Sequence, residues 1–202
     1  MNAMKLMIAI PTLDYIHHEF TKCLTALVRK LDKDGVDFDV VFLGGTLVYL
    51  SRDTLAAEAV NKGYTHVLWL DADMVFQEDL FDILLASNAG MVTGIYHSRH
   101  APYGSCIFSE LHPPVKMHSY PDEMFPIKGC GFGCVLVQTD IIAAVFRKYQ
   151  KAFHPTEDYG EDLSFCERVL ECGYKIFCNP KAVCGHIGHL TIWPDMKGLK
   201  VE

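Results

Sequence analysis

The chain has 202 residues, a mass of 22.7 kDa, a formal charge of −7 and a mean hydropathy of +0.14, with 50% hydrophobic and 21% charged residues. This balance excludes a disordered or fibrous chain, and at this length a core forms without a disulfide or metal staple. The acidic charge argues against a wide basic face for duplex nucleic acid. The longest nearly apolar stretch, Val40 to Leu50, is broken by Gly44, Gly45 and Thr46, well short of the about 20 apolar residues that span a bilayer.

The predicted elements alternate from the start. Lys5 to Pro11 reads as a buried strand, entered directly from Met1-Asn2-Ala3-Met4 with no secretory leader. Phe20, Cys23, Leu24, Leu27, Val28 and Leu31 fall at helical spacing, and Asp34-Gly35 closes that helix. Val36 to Leu43 reads as a second strand. Ser51 to Lys62 reads as a helix with Ser51 as N-cap and Gly63 just past its end. His66 to Leu70 is a third strand ending at Asp71-Ala72-Asp73, a short helix follows over Glu78 to Ala86, and Met91 to Tyr96 is a fourth strand.

This order predicts an α/β fold: a mostly parallel central sheet with helices on both faces, in a single domain. Such sheets receive ligands beyond the carboxyl ends of their strands. His97 to Pro126 breaks the rhythm and reads as a lid or binding loop. Gly129 to Gln138 resumes as a strand, Thr139 caps a helix through Tyr149, and a helix over Glu161 to Cys172 follows a second irregular stretch. Lys175 to Cys178 and Ala182 to Cys184 are short late strands.

Three groups of residues invite a chemical reading. Asp71 and Asp73 stand two apart, and on an extended chain such side chains point the same way, which suits a hard divalent cation and through it a phosphate. A single strand-end Asp would more often cap the next turn. Gly160-Glu161-Asp162 opens a helix, where acids often serve only the helix dipole, yet a carboxylate fixed there can also act as a general base. In Gly185-His186-Ile187-Gly188-His189, two histidines flanked by glycines offer an imidazole to a metal, and one nitrogen with two carboxylates suits Mn2+ somewhat better than Mg2+. His17-His18 read as solvated surface. The eight cysteines read as reduced, buried thiols of a cytoplasmic protein. The six-residue step from Cys166 through Cys172 and Cys178 to Cys184 does not match zinc-ligand spacing.

Asp71-Ala72-Asp73 after a hydrophobic strand, then Gly160-Glu161-Asp162, then the late Gly185-His186, resembles the GT-A glycosyltransferases of the family 2 type, including short phage and bacterial relatives. Leu68-Trp69-Leu70-Asp71-Ala72-Asp73 is also similar to a stretch of certain mannosyltransferases. Glu161 through Gly173-Tyr174-Lys175 is similar to a family 2 segment. The resemblance implies a GT-A-like fold with a nucleotide-binding half over residues 1–96 and an acceptor half over 97–202. It implies a metal-dependent transferase that moves a sugar from a nucleotide-diphosphate donor, UDP-sugar before GDP-mannose, to an acceptor hydroxyl with inversion. Asp71, Asp73 and His186, with His189 as second choice, would hold Mn2+ or Mg2+. Asp162, with Glu161 beside it, would be the base. Pro11, Thr12, Asp14, Arg52 and Ala72 would contact the nucleotide. Gly129 to Gly133, centred on Gly131, would lie under the donor sugar, where absent side chains let backbone approach closely. The metal would stabilise the departing diphosphate by several kcal/mol, against about 1 kcal/mol from a helix end.

Two departures from that pattern stand out. Leu43-Gly44-Gly45-Thr46 lacks the acidic residue that often reads the base, and only thirteen residues follow His189. Two other classes compete. Asp71-Ala72-Asp73-Met74-Val75 fits the nucleophile motif of haloacid-dehalogenase-type phosphatases, though that motif belongs on a first strand. A non-catalytic nucleotide-sugar or glycan-binding module would share the fold without the chemistry.

Overall fold

The computed structural model describes residues 4–13, 15–188, 192–195 and 198–201. Alternation of apolar runs and helical periods sets the first half: β1 (Lys5–Pro11), α1 (His18–Lys33), β2 (Asp37–Leu43), α2 (Val48–Asn61), β3 (His66–Leu70), β4 (Met74–Val75), α3 (Leu80–Ala86) and β5 (Met91–Ile95). The irregular region then carries β6 (Ile107–Leu111), β7 (Pro114–Lys116), β8 (Phe125–Ile127) and β9 (Gly129–Cys130). The chain closes with β10 (Cys134–Gln138), α4 (Thr139–Tyr149), α5 (Glu161–Glu171), β11 (Ile176–Val183), β12 (Gly185–His186), β13 (Ile192–Asp195) and β14 (Gly198–Val201).

The main sheet has seven strands in the order β2-β1-β3-β10-β5-β11-β8. Period-two alternation divides its side chains between two cores. Leu6, Ile8 and Ile10 of β1 join Leu68 and Leu70 of β3 beneath α1 and α3, which contribute Phe20, Leu24, Leu27, Phe81 and Leu84. Met7 and Ala9 point the other way with Val67 and Trp69, into a core filled by Leu55 of α2, Ile142 of α4 and Phe165 of α5. Truncating one of these fully buried leucines to alanine costs about 2–5 kcal/mol. The fold is therefore a single-domain mixed α/β arrangement with helices on both faces of a central sheet.

The sheet corrects the expectation of a mostly parallel one. β2, β1 and β3 run parallel, as do β5 and β11, but β10 lies antiparallel between β3 and β5, and β8 lies antiparallel to β11. The strand–helix alternation stops at β5. No crossover helix lies between β5 and β10, so β10 enters the sheet from the opposite end.

Other local readings shift as well. Ser51 is not an N-cap: α2 begins at Val48, and Ser51 is buried within it. The stretch read as one strand over Gly129 to Gln138 breaks at 131–133 into β9 and β10, and the two late strands merge into β11. Part of the expected long loop forms a small three-stranded sheet, β7-β6-β9. All eight cysteines are free, five of them buried, and Cys166 Sγ donates to the Cys130 carbonyl at 3.6 Å. Among the described residues, no helix is long and apolar enough to cross a membrane.

Candidate functional site

A cleft of about 540 Å3 opens beyond the carboxyl ends of β1 and β3. Its floor comes from Arg52 of α2, the Asp71-Ala72-Asp73 turn and Glu161 and Asp162 at the start of α5. One wall is the segment after β1, with Pro11, Thr12, Leu13, Tyr15 and His17, together with Val48. The facing wall is Ser98, Arg99 and His100 after β5, with His186 of β12.

At the centre Arg52 is almost wholly buried, its side chain 3% exposed. It donates from Nη2 to both oxygens of Asp71, at 3.1 and 3.4 Å, and from Nη1 to the Phe132 carbonyl at 3.5 Å. Glu161 lies 3.8 Å from its Nε and Asp162 lies 3.5 Å from Nη2. Three carboxylates thus surround one guanidinium.

Asp162 accepts from the Phe132 N–H through Oδ2 at 3.3 Å, while its Oδ1 is buried with no hydrogen-bond partner, as is Arg52 Nε. Burial pushes the Asp162 carboxyl up to about 7; Arg52 opposes that rise, and the negative charges of Glu161 and Asp71 add to it.

Asp73 belongs to a second cluster. Arg99 donates from Nη1 to its Oδ2, and His186 Nε2 stands 3.5 Å from the same oxygen. His186 is oriented by its other nitrogen, Nδ1, which donates to the His97 carbonyl at 2.9 Å. Burial works against the charged forms of both groups. Their mutual contact overrides it, holding the Asp73 carboxyl below its usual range and the His186 imidazole above its own, with Arg99 adding to the lowering at Asp73.

The expected convergence of Asp71, Asp73 and His186 on one cation does not form. Asp73 and His186 meet, but Asp71 turns to Arg52. Extended chain does not run through residue 73: β3 ends at Leu70 and Met74 N–H bonds back to the Asp71 carbonyl at 3.1 Å, closing a turn. Among the described residues no three His, Cys, Asp or Glu side chains stand together to hold a metal ion. The donors that do meet, a carboxylate oxygen and an imidazole nitrogen freed by its second-nitrogen bond, are chemically suited to a hard cation that keeps other oxygens around it.

Pro11, Thr12, Arg52, Ala72, Glu161 and Asp162 all face the cleft, while Asp14 and His189 lie outside the described residues. Gly131 is packed against Tyr96. A Cβ there would sit 2.3 Å from Tyr96 Oη, and one at Gly133 would sit 3.0 Å from Tyr96 Cζ. These glycines make room for the buried Tyr96 ring, whose hydroxyl accepts from Gly133 N–H at 2.9 Å. Gly129 likewise makes room for Leu111 and Leu163.

The sequence reading missed several cleft residues. His17 is half-buried and lines the cleft instead of lying on open surface. Leu13 and Tyr15 carry no sequence signal of their own, whereas Ser98, Arg99 and His100 of the cleft fall in the stretch Tyr96 to His100 that, with Tyr103, reads as an acceptor-site lining or a lid.

No family model and no curated protein matches the chain. Its fold is similar to the crystal structure of A197 from STIV, with 17% identity, a TM-score of 0.60, and coverage of 98% of this chain and 94% of A197. At that identity the likeness shows the fold alone, and it brings no transferase name with it. These findings, with no three-ligand cluster among the described residues, overturn the reading of the chain as a GT-A, family 2-type enzyme and as a DxD- and manganese-dependent transferase acting on a nucleotide-sugar.

Proposed function

We propose that the protein is a small-molecule-binding domain whose cleft receives the cationic group of its ligand. The observation that carries this reading is the three-to-one ratio of carboxylates to guanidinium around Arg52, with Asp162 Oδ1 buried, without a hydrogen bond and sharing the single Arg52 charge at 3.5 Å. Largely buried carboxylates that outnumber their counter-charge are costly. An ammonium group beside Asp162 and Glu161 would supply both the charge and the missing hydrogen-bond donor. Arg52 accounts for Asp71, so the surplus falls on the two α5 acids.

Calorimetric titration with methylammonium at pH 8 tests this. Saturable binding is expected, weakened about tenfold or more in Glu161→Gln/Asp162→Asn, since a charge-assisted hydrogen bond is worth about 1.5–3 kcal/mol. Absence of binding, or equal affinity in the variant, would refute it.

A divalent cation is the second reading, favoured by the approach of His186 Nε2 to Asp73 at 3.5 Å. Mn2+ would compete with Arg99 for that carboxylate. His186→Ala should then abolish Mn2+ binding and leave methylammonium affinity as it was. Mn2+ binding that survives the variant would sink this second reading.

A further inference from the structure

Building on the cation reading, we infer that the ligand is an amine with an apolar body, the body lying along the wall formed by Leu13, Tyr15 and Val48. The cleft's volume of about 540 Å3 is far more than an ammonium group alone fills, and falls within the range of whole small-molecule sites. Its two sides differ in chemistry. The floor is charged, whereas the wall after β1 exposes large apolar side chains to solvent: Leu13 is 70% exposed and Tyr15 87%.

Both residues line the same cleft as Asp162 and Glu161. The loop after β2 carries Leu47, 59% exposed, next in sequence to Val48 of the wall. That loop is tied to the first by the Thr12 N–H donating to the Leu43 carbonyl at 2.9 Å. Gly44 permits the close approach, because a Cβ there would meet Thr12 Oγ1 at 2.4 Å.

Scattered exposed apolar residues need no explanation, but a cluster bordering a charged cleft marks a binding surface. The charge complementarity of the floor selects the occupant. A neutral apolar molecule would leave the excess negative charge of Glu161 and Asp162 unbalanced, and a small cation would leave Leu13 and Tyr15 in water. An arylalkyl ammonium satisfies both sides at once. The ring then recovers part of the burial free energy of an aromatic side chain.

The test compares methylammonium, phenethylammonium and the uncharged 2-phenylethanol by calorimetry at pH 8, on the wild type and on Leu13→Ser/Tyr15→Ser. Both substituted residues are solvent-exposed, and circular dichroism with thermal melting checks that the variant stays folded. Phenethylammonium should bind the wild type about tenfold more tightly than methylammonium, equivalent to about 1.4 kcal/mol. The alcohol should bind far more weakly than the amine of the same shape. In the double variant the affinity for phenethylammonium should fall to the level of methylammonium. Equal affinity of the two amines for the wild type, or a tenfold advantage that persists in the variant, overturns the apolar-wall inference and leaves the cation reading intact. Failure of both amines to bind overturns both.

Discussion

Asp71 and Asp73 are separated by a single alanine, yet they belong to electrostatic environments of opposite kind. Asp73 sits in a cluster whose charges match. Arg99 and His186 share one of its oxygens, and Arg99 remains 39% exposed, so solvent helps to settle the account. Asp71 sits in a cluster whose charges do not match, with three carboxylates about an arginine that is 3% exposed. The first cluster shifts its members toward their charged forms; the second drives Asp162 toward its neutral one. A balanced cluster already supplies its own counter-charge. An unbalanced, buried one is a place where something with charge is wanted.

Four substitutions sharpen or break this contrast. Arg52→Leu should have the largest effect, because it removes the buried guanidinium from among three largely buried carboxylates. A loss of about 3–5 kcal/mol is expected, which for a chain of this size lowers the melting temperature by roughly 6–20 °C. A shift of a degree or two in a thermal melt would mean that the cluster is more hydrated than its burial implies.

Gly131→Ala comes next, at about 1–3 kcal/mol in urea denaturation, since the new methyl group must displace the Tyr96 hydroxyl. In a Tyr96→Phe background the penalty should shrink, because the atom 2.3 Å from the built Cβ is then gone. Additive losses in that double-mutant cycle would remove Tyr96 as the cause.

Asp162→Asn probes the proton itself. A carboxyl raised above its unfolded value binds its proton more tightly in the folded chain. Its contribution to stability is therefore complete below about pH 3.8 and is lost as pH rises through about 7. The wild type should lose stability between pH 5 and 8, and the variant should lose less by at least about 1 kcal/mol, one unit of displacement being worth about 1.4 kcal/mol. Parallel stability curves for the two proteins would contradict this.

Arg99→Gln should do least, under about 1 kcal/mol, as expected of a part-exposed ion pair. A loss as large as that of Arg52→Leu would erase the distinction between the clusters.

Much of the scaffold was legible in the sequence. Lys5–Pro11 and His66–Leu70 match their predicted bounds, because buried strands in a βα alternation write themselves as unbroken apolar runs. The direction of β10 was not legible, since Cys134–Gln138 would present the same apolar residues whichever way it ran. The cleft was placed correctly at the strand ends, and Arg52, Glu161, Asp162 and His186 all reach it. Their pairing was hidden. It depends on the chain turning at Asp71, which no period-two count can register, and on Arg99 arriving from a loop with no periodicity at all. The glycines are legible only in part: a residue without a side chain says that something comes close, and Tyr96 from within the fold comes close at Gly131 and Gly133.

The claim that the Arg52 cluster holds an uncompensated carboxylate can be tested directly by following the Asp162 side-chain carbon by 13C NMR as a function of pH, with and without saturating methylammonium. The account predicts a midpoint near 7 in the free protein, moved downward when the amine binds. A midpoint in the ordinary aspartate range, or one that the amine leaves in place, would contradict it.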